Sequence, residues 1–408
     1  MTDKLGDSAE LRDYRVKARA WLAENMPPLA DQGRVEDIEP TPERVAECRR
    51  RQALLFEAGY AGFTFPPEFG GQGLTLEHEA VFLDEAENYD IPIAFFGVSI
   101  NILGATLNSF GTYDQKKTHL PNILSGRQRW LQLLSEPSGG SDIAGVLTSA
   151  SRDGDGYLVN GQKIWSTGAH LSDFALCPVR TRWDVPKHKG LSVLILDMKS
   201  PGIEVHRIME ISGTSRFCQE YLTDVVVPAG NLVGEENEGW RVIRGLLEIE
   251  HAWVGRGGAR TAESQGVGPI VGMIRSDERR QDTAIRREIT DLHVALEVQK
   301  LTAARVTGGI ASGRMSPAYG SLLKMGNANL TQRRAEVGLA VAGAIGVAWR
   351  PGDAGSSEWS KAFLASRSST IAGGTNEIQK NNVSEKVLGL PRESSQDIHL
   401  PFNQVPHN

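Results

Sequence analysis

The hydrophobic period of this 408-residue chain changes twice, from helical spacing to alternation and back, and that order limits the folds open to it. Leu11, Tyr14, Val16, Ala18, Trp21 and Leu22 stand close to helical spacing, and Val45 to Ala58 continues the pattern. Phe65-Pro66-Pro67-Glu68-Phe69-Gly70-Gly71 interrupts with turn chemistry before a further helical stretch from Leu76 to Asn88. From about residue 127 the period shortens. Strands are predicted at 146–151, 157–160 and 162–166, with Asp155-Gly156 and Asn160-Gly161 read as hairpin turns between them. Phe174 to Arg180, Leu191 to Asp197 and Tyr221 to Val227 read as further strands. After Glu238-Gly239-Trp240 long helices return, over Trp240 to Arg260, Arg286 to Thr307 and Ala318 to Ala344. The expected class is therefore α+β, in three domains: helical over 1–126, β over 127–235 and helical over 236–408.

Charge and composition narrow the function. A formal charge of −6 and the lack of any long basic run argue against nucleic acid as a partner. Cys48, Cys177 and Cys218 lie far apart, which suits a reducing compartment and gives no metal-ligand spacing. No H-x-x-x-H pair occurs, and Asp153-Gly154-Asp155-Gly156 reads as a turn because the glutamate that would close a calcium loop is missing. No G-x-G-x-x-G joins a strand to a helix, so a nicotinamide fold is unsupported. The N-terminal residues lack the basic and apolar parts of a signal peptide, and no apolar run reaches the roughly 20 residues of a membrane span. The expectation is a cytoplasmic protein with no metal, nucleic-acid or membrane partner.

Three ordered motifs carry the chemistry. Ser135-Glu136-Pro137-Ser138-Gly139-Gly140-Ser141-Asp142 combines glycines that admit a ligand close to the backbone with two hydroxyls. Lys163-Ile164-Trp165-Ser166-Thr167 follows on a predicted strand. Ala372-Gly373-Gly374-Thr375-Asn376-Glu377-Ile378-Gln379 breaks one helix and opens another, whose N-terminal amides suit a phosphate. Taken singly, each has a plain reading: a polar turn, a core tryptophan, a capped helix break. Together and in order they resemble the acyl-CoA dehydrogenase family, whose usual patterns are T-E-P-x-A-G-S-D, W-I-T-N-G and E-G-T-x-x-I-Q. Phe65 to Gly71 is similar to that family's W-P-x-x-Y-G-G turn.

The resemblance implies a helical N-terminal domain, a β-barrel-like middle domain, a C-terminal four-helix bundle, and FAD as cofactor. It assigns cofactor contacts to Leu134, Ser135, Ser141, Trp165, Ser166, Thr167, Gly374, Thr375 and Glu377, with Ser141 and His251 on the substrate side. It also implies an acyl-CoA substrate, an electron-transfer flavoprotein as acceptor, and a tetramer.

The chain departs from the family pattern at the catalytic base. The family's commonest base precedes the Gly-Thr of the last motif, where this chain has Gly373. Gly373 keeps its backbone amide, which in the family helps polarise the thioester carbonyl. A replacement carboxylate is predicted on the helix from Trp240, where Ile243, Leu246, Leu247, Glu250, Trp253, Val254 and Gly257 share one face. Glu248 lies about 200° from Glu250 at ~100° per residue and is placed to pair with Arg244 on the outer face. A lone glutamate on such a stripe more often pairs with a neighbouring arginine. Isovaleryl-, long-chain and several bacterial sterol side-chain members resemble this arrangement, however, so Glu250 is the expected base.

Three further departures remain. Glu250 is followed by His251 where the family commonly has arginine. The R-x-x-F-G element that serves a neighbouring subunit's flavin is absent from the charged stretch between Arg275 and Arg287, which offers Arg275, Arg279 and Arg280 instead. Q-x-x-G-G-x-G survives only loosely as Ala342-Gly343-Ala344-Ile345-Gly346. The expected activity is α,β-dehydrogenation by a homotetramer or a heterotetramer. The alternatives are a non-catalytic or half-site subunit of a heteromeric dehydrogenase, and a related flavin oxidase or monooxygenase.

Overall fold

The computed structural model describes residues 8–29, 41–255, 266–275, 278–348, 350, 357–394 and 397–406. Two compact units emerge. One comprises Met1–Ile208, Arg216–Ile249 and Gln396–Asn408; the other comprises Met209–Ser215 and Glu250–Ser395.

The first unit begins with helices α1 (Ala9–Asn25), α2 (Pro42–Glu57) and α3 (Leu76–Glu85). Ser8 and Thr41 cap α1 and α2 by accepting from amides in their first turns. Ala18, Leu22, Leu55, Phe63 and Phe82 form their core. Next come α4 (Ile93–Val98), a π-helical turn (Ser99–Gly104), α5 (Ala105–Phe110) and α6 (Tyr113–Leu124). The run Ile93–Phe110 is 18 residues long with mean hydropathy 1.5, enough by length and composition to cross a membrane. Here it packs inside the unit: Ile102, Leu103 and Leu107 are buried, and Ser99 exchanges 2.8 Å hydrogen bonds with the Trp130 backbone.

The sheet has eight strands: β1 (Trp130–Gln132), β2 (Ser149–Asp153), β3 (Gly156–Thr167), β4 (Phe174–Arg180), β5 (Leu191–Asp197), β6 (Ile203–Arg207), β7 (Phe217–Pro228) and β8 (Leu232–Val233). Their order is β6-β7-β3-β2-β4-β5-β8, with β1 parallel to β4. Strand residues such as Leu131, Ala150, Val159, Cys177, Leu196 and Val225 converge on one core, the barrel-like arrangement expected.

One predicted turn is not a turn. Asp155-Gly156 does join β2 to β3, but Asn160-Gly161 lies within β3, at a register shift. A Cβ on Gly161 would stand 2.5 Å from Thr148 Oγ1, so this glycine admits a close neighbour rather than reversing the chain.

The C-terminal segment belongs to this first unit. Pro401 bridges Pro186, Phe402 N–H donates to Val185 at 2.8 Å, and Asn403 N–H donates to Trp183 at 3.0 Å. The Phe402 ring, 2% exposed, lies 3.5 Å from the Arg180 guanidinium carbon.

The division between units falls within α7 (Gly239–Gly255). Its predicted extension to Arg260, with Gly257, lies outside the described residues. The second unit holds α8 (Gly268–Ile274), α9 (Thr283–Ala311), α10 (Gly320–Ala342), α11 (Ala344–Val347), α12 (Ser357–Ser366) and α13 (Asn376–Lys386). α10 packs against α8, α9, α12 and α13. Their core joins Ile270, Leu292, Val337 and Trp359. Gly338 is required there, because a Cβ would sit 1.9 Å from the Trp359 ring.

Candidate active site

In the first unit, the loop after β1 is held by one buried carboxylate. Glu136 accepts from the amides of Leu147 (2.6 Å) and Thr148 (3.0 Å) and from Lys163 Nζ (2.8 Å). Lys163, fully buried, also donates to the Pro178 carbonyl at 2.9 Å. Burial alone would raise the Glu136 carboxyl, but the Lys163 charge and these donors together hold it below the ordinary range. Arg180 braces the far end of the loop by donating to the carbonyls of Ala144 (2.6 Å) and Val146 (3.1 Å). Burial lowers its own pKa to about 10.

With its ends fixed, the loop presents its centre outward. Ser141, Gly139 and Gly140 are exposed, Leu134 and Ser135 half-buried. Ser135 carbonyl accepts from Ile164 N–H at 3.0 Å, which joins the loop to β3. A Cβ on Gly139 would meet nothing within 4 Å, so no internal contact requires glycine there.

On β3 a register shift between Ile164 and Ser166 makes Trp165 the inserted residue of a bulge. Its φ is +65°, a left-handed value costly for a bulky side chain, and the indole is 57% exposed, edge-on to Phe217 at 6.0 Å. A strained and exposed tryptophan does not serve a core. It offers a flat apolar wall, suited to an aromatic ring such as a flavin's. Thr167 is exposed beside it, whereas Ser166 turns inward and its hydroxyl bonds Glu220 and the Cys218 carbonyl. The predicted cofactor contact of Ser166 is therefore limited to its backbone.

In the second unit, Gly373 and Gly374 adopt φ of +65° and +80°, and Thr375 caps α13 by accepting from Ile378 N–H at 3.2 Å. Buried Gln379 reaches back to the Gly373 carbonyl at 3.0 Å, which fixes the turn that exposes the Gly373 amide. Glu377 is exposed, and its carboxyl is held below the ordinary range by its own backbone amide and by Thr375.

The same unit carries the candidate base. On α7, Ile243 and Leu246 are buried, Glu250 is half-buried and Val254 is 41% exposed, so the apolar stripe opens outward at Glu250. A Cβ placed on Gly373 would have Glu250 Oε1 at 4.0 Å, with no nearer atom recorded. The carboxylate thus stands beside the position whose side chain is missing. Glu248 lies on the outer face, exposed, 3.7 Å from Arg244 as expected. His251 is also exposed.

The three arginines proposed for the missing R-x-x-F-G element, Arg275, Arg279 and Arg280, are all exposed. Arg279 also donates to the Val341 carbonyl at 2.7 Å, and its Nη1 lies 3.3 Å from where a Cβ on Gly343 would be. Ser276 and Asp277 lie outside the described residues. Sequence reasoning did not find the roles of Arg180, Glu220 and Phe402. For Arg180 the signal was a charge closing the apolar run 174–179, which must be paired or shifted when buried, whereas Glu220 stands among other polar residues of β7 and gave none.

Comparison with known proteins agrees with this fold. Residues 8–127, 132–225 and 237–388 match the N-terminal, middle and C-terminal domain families of acyl-CoA dehydrogenases. Acyl-CoA dehydrogenase IpdE1 of Mycobacterium tuberculosis is 33% identical over 392 residues, covering 94% of this chain and 99% of that protein. A solved structure titled Tcur3481-Tcur3483 steroid ACAD superposes with a TM-score of 0.78 at 28% identity, covering 96% of this chain and 100% of that one. The ChsE4-ChsE5 complex from M. tuberculosis gives 0.72 at 28% identity, with the same coverages. The chain belongs to the acyl-CoA dehydrogenase family, whose members are flavoprotein oxidoreductases.

Proposed function

We propose that this chain holds FAD and dehydrogenates an acyl-CoA thioester to a trans-2-enoyl-CoA, with Glu250 as the base. The observation that carries the reading is Glu250 Oε1 at 4.0 Å from the point where a Cβ on Gly373 would stand. Proton removal from Cα needs a carboxylate at that end of the substrate, and a helix neighbour supplies what the loop residue lacks. Glu250 takes the Cα proton. The Gly373 N–H, for which no acceptor is recorded among the described residues, donates to the thioester oxygen and stabilises the charge that develops there. FAD, when bound, supplies the acceptor for the hydride that leaves Cβ, so a C=C bond forms as both hydrogens depart.

The residues present fit that cofactor. Taken unit by unit, the sheet carries Leu134, Ser135, Ser141 and Thr167 with the Trp165 wall, and the start of α13 carries Gly374, Thr375 and Glu377, the positions the family motifs assign to it. His251, adjacent to the base, is assigned to the CoA side together with Ser141. Electron-transfer flavoprotein is the assigned acceptor. The structures titled steroid ACAD at 28% identity favour a bulky, ring-bearing acyl group.

Glu250→Gln should fold and stay yellow but lose turnover by about two orders of magnitude or more. Glu248→Gln should change little. Equal turnover in both variants and the wild type would place the base elsewhere, and oxygen uptake in place of dye reduction would make the chain an oxidase.

A second reading is favoured by Gly373, by the missing R-x-x-F-G element and by the relatives solved as a two-protein complex. In it, a homologous partner completes the flavin site and the assembly holds fewer flavins than chains. Mass and flavin stoichiometry after co-expression decide between the two. One FAD per chain in an active homotetramer rules the partner out.

A further inference from the structure

Glu220 is the least explained charge in the sheet. It lies on β7 opposite Lys163 of β3, fully buried among the apolar side chains of the sheet core with Lys163 and Ser166 buried beside it. Lys163 directs its hydrogen bonds to Glu136 and the Pro178 carbonyl, so Ser166 is the side chain that donates to Glu220. Its second oxygen, Oε2, has no partner among the described residues. An apolar residue would fill this place at less cost, so the carboxyl calls for a role.

That donor suggests the role. Ser166 directly follows Trp165, and the bulge needs a residue to turn inward and hold while Trp165 keeps its φ of +65°. The Ser166 hydroxyl makes that anchor with Glu220 and, at 3.3 Å, with the Cys218 carbonyl. We propose that Glu220 is a positioning residue that acts through Ser166 to hold the Trp165 bulge, and so sets the orientation of the wall offered to the flavin ring. The inference rests on the flavoenzyme reading above but concerns a conformation of the protein itself.

The site responds to pH. Burial pushes the Glu220 carboxyl up to about 7, against the pull of Ser166 and Lys163. The titratable groups around it are Lys163 from β3 with Glu136 behind it, Cys177 from β4, and Cys218 on β7 with His170 against it. Burial raises Cys177 to about 11 and also raises Cys218, so both thiols keep their protons near neutrality. On β6 the partner of Glu220 is Val205, and the flanking Glu204 and His206 are exposed. Glu220 and the His170 imidazole are the groups in this set that can change charge near pH 7, and the Glu220→Gln variant separates them. The ionised form of Glu220 can only accept the hydrogen bond from the Ser166 hydroxyl, whereas its protonated form can donate to Ser166 Oγ and leave that hydroxyl's hydrogen to the Cys218 carbonyl.

The test uses the flavin-free full chain labelled with 5-fluorotryptophan, the Trp165 resonance being assigned with Trp165→Phe. In the wild type that resonance should titrate with a midpoint near 7, in line with the carboxyl, between about pH 5.5 and 8.5. Glu220→Gln should abolish the titration. Ser166→Ala should shift and broaden the resonance, and Ser166→Thr, which keeps the hydroxyl, should restore it. FAD affinity of the Ser166→Ala apoprotein should fall by about tenfold, the loss of one strong hydrogen bond. A Trp165 resonance that does not titrate, or that both folded variants leave unmoved, overturns the proposal. A chain whose resonance behaves as expected but takes up no FAD refutes the flavoenzyme reading and leaves the positioning role standing.

Discussion

The sheet and the C-terminal helices hold their functional groups in different ways. In the sheet, the charges that hold the loop are buried and specific: Lys163 and Glu136 have side chains 0% and 4% exposed, and Arg180 is enclosed by backbone carbonyls and an aromatic ring. In the helices the ion pairs face solvent, as Arg333 with Glu288 (46% and 54%) and Arg367 with Glu336 (45% and 46%) show. Apolar side chains stand exposed there too, with Val294, Val298 and Leu301 on successive turns of α9 at 54%, 56% and 69%. The sheet organises its loop with its own residues, whereas the helices keep an apolar face of the kind that association covers.

The largest expected effect tests the sheet's side of that contrast. Lys163→Met leaves Glu136 buried without its cation and should cost about 3–5 kcal/mol of stability by urea titration, together with flavin retention. Acid should act in the same direction on the wild type. The Glu136 carboxyl is depressed in the folded chain, so its stabilisation is present above the ordinary carboxylate pKa and is lost as pH falls through the depressed value. Glu220 has the opposite sign, with stability falling as pH rises from the ordinary carboxylate range to about 7. A Lys163→Met protein as stable as the wild type would erase the distinction between the two regions.

A smaller effect is expected on α9. Leu301→Glu should lower the assembled mass seen by light scattering while leaving helix content unchanged. Unchanged mass would show that this face is not where copies or partners meet. The smallest effect belongs to Arg333→Ala, which removes one half of an exposed pair and should shift stability by less than about 1 kcal/mol. A larger loss would mean that the helical surface pairs are organised as tightly as the sheet's.

The local surroundings of each motif were legible in the sequence because each has its own local chemistry. Helical arithmetic placed Glu250 on the inner face and Glu248 outside with Arg244, and the structure agrees. The proximity of Glu250 to Gly373 was not legible, since it depends on how α7 and the turn before α13 meet. Asn160-Gly161 was misread because a dipeptide reports turn propensity, while the close approach of Thr148 is set by a distant residue. Phe402 carried no signal at all, being a single aromatic in a proline-containing tail whose partner is Arg180.

That last contact also bears on the order in which the fold can become complete. Arg180 reaches the loop at Ala144 and Val146, neighbours in the same stretch of chain, but the ring stacked against it comes from beyond the whole helical unit. The sheet can pair early through short connections, whereas Arg180 gains that ring only once a very long loop has closed, an entropic cost that local pairing does not carry. The brace on the 135–142 loop is therefore finished late, and closure of that long loop is itself a step in building it.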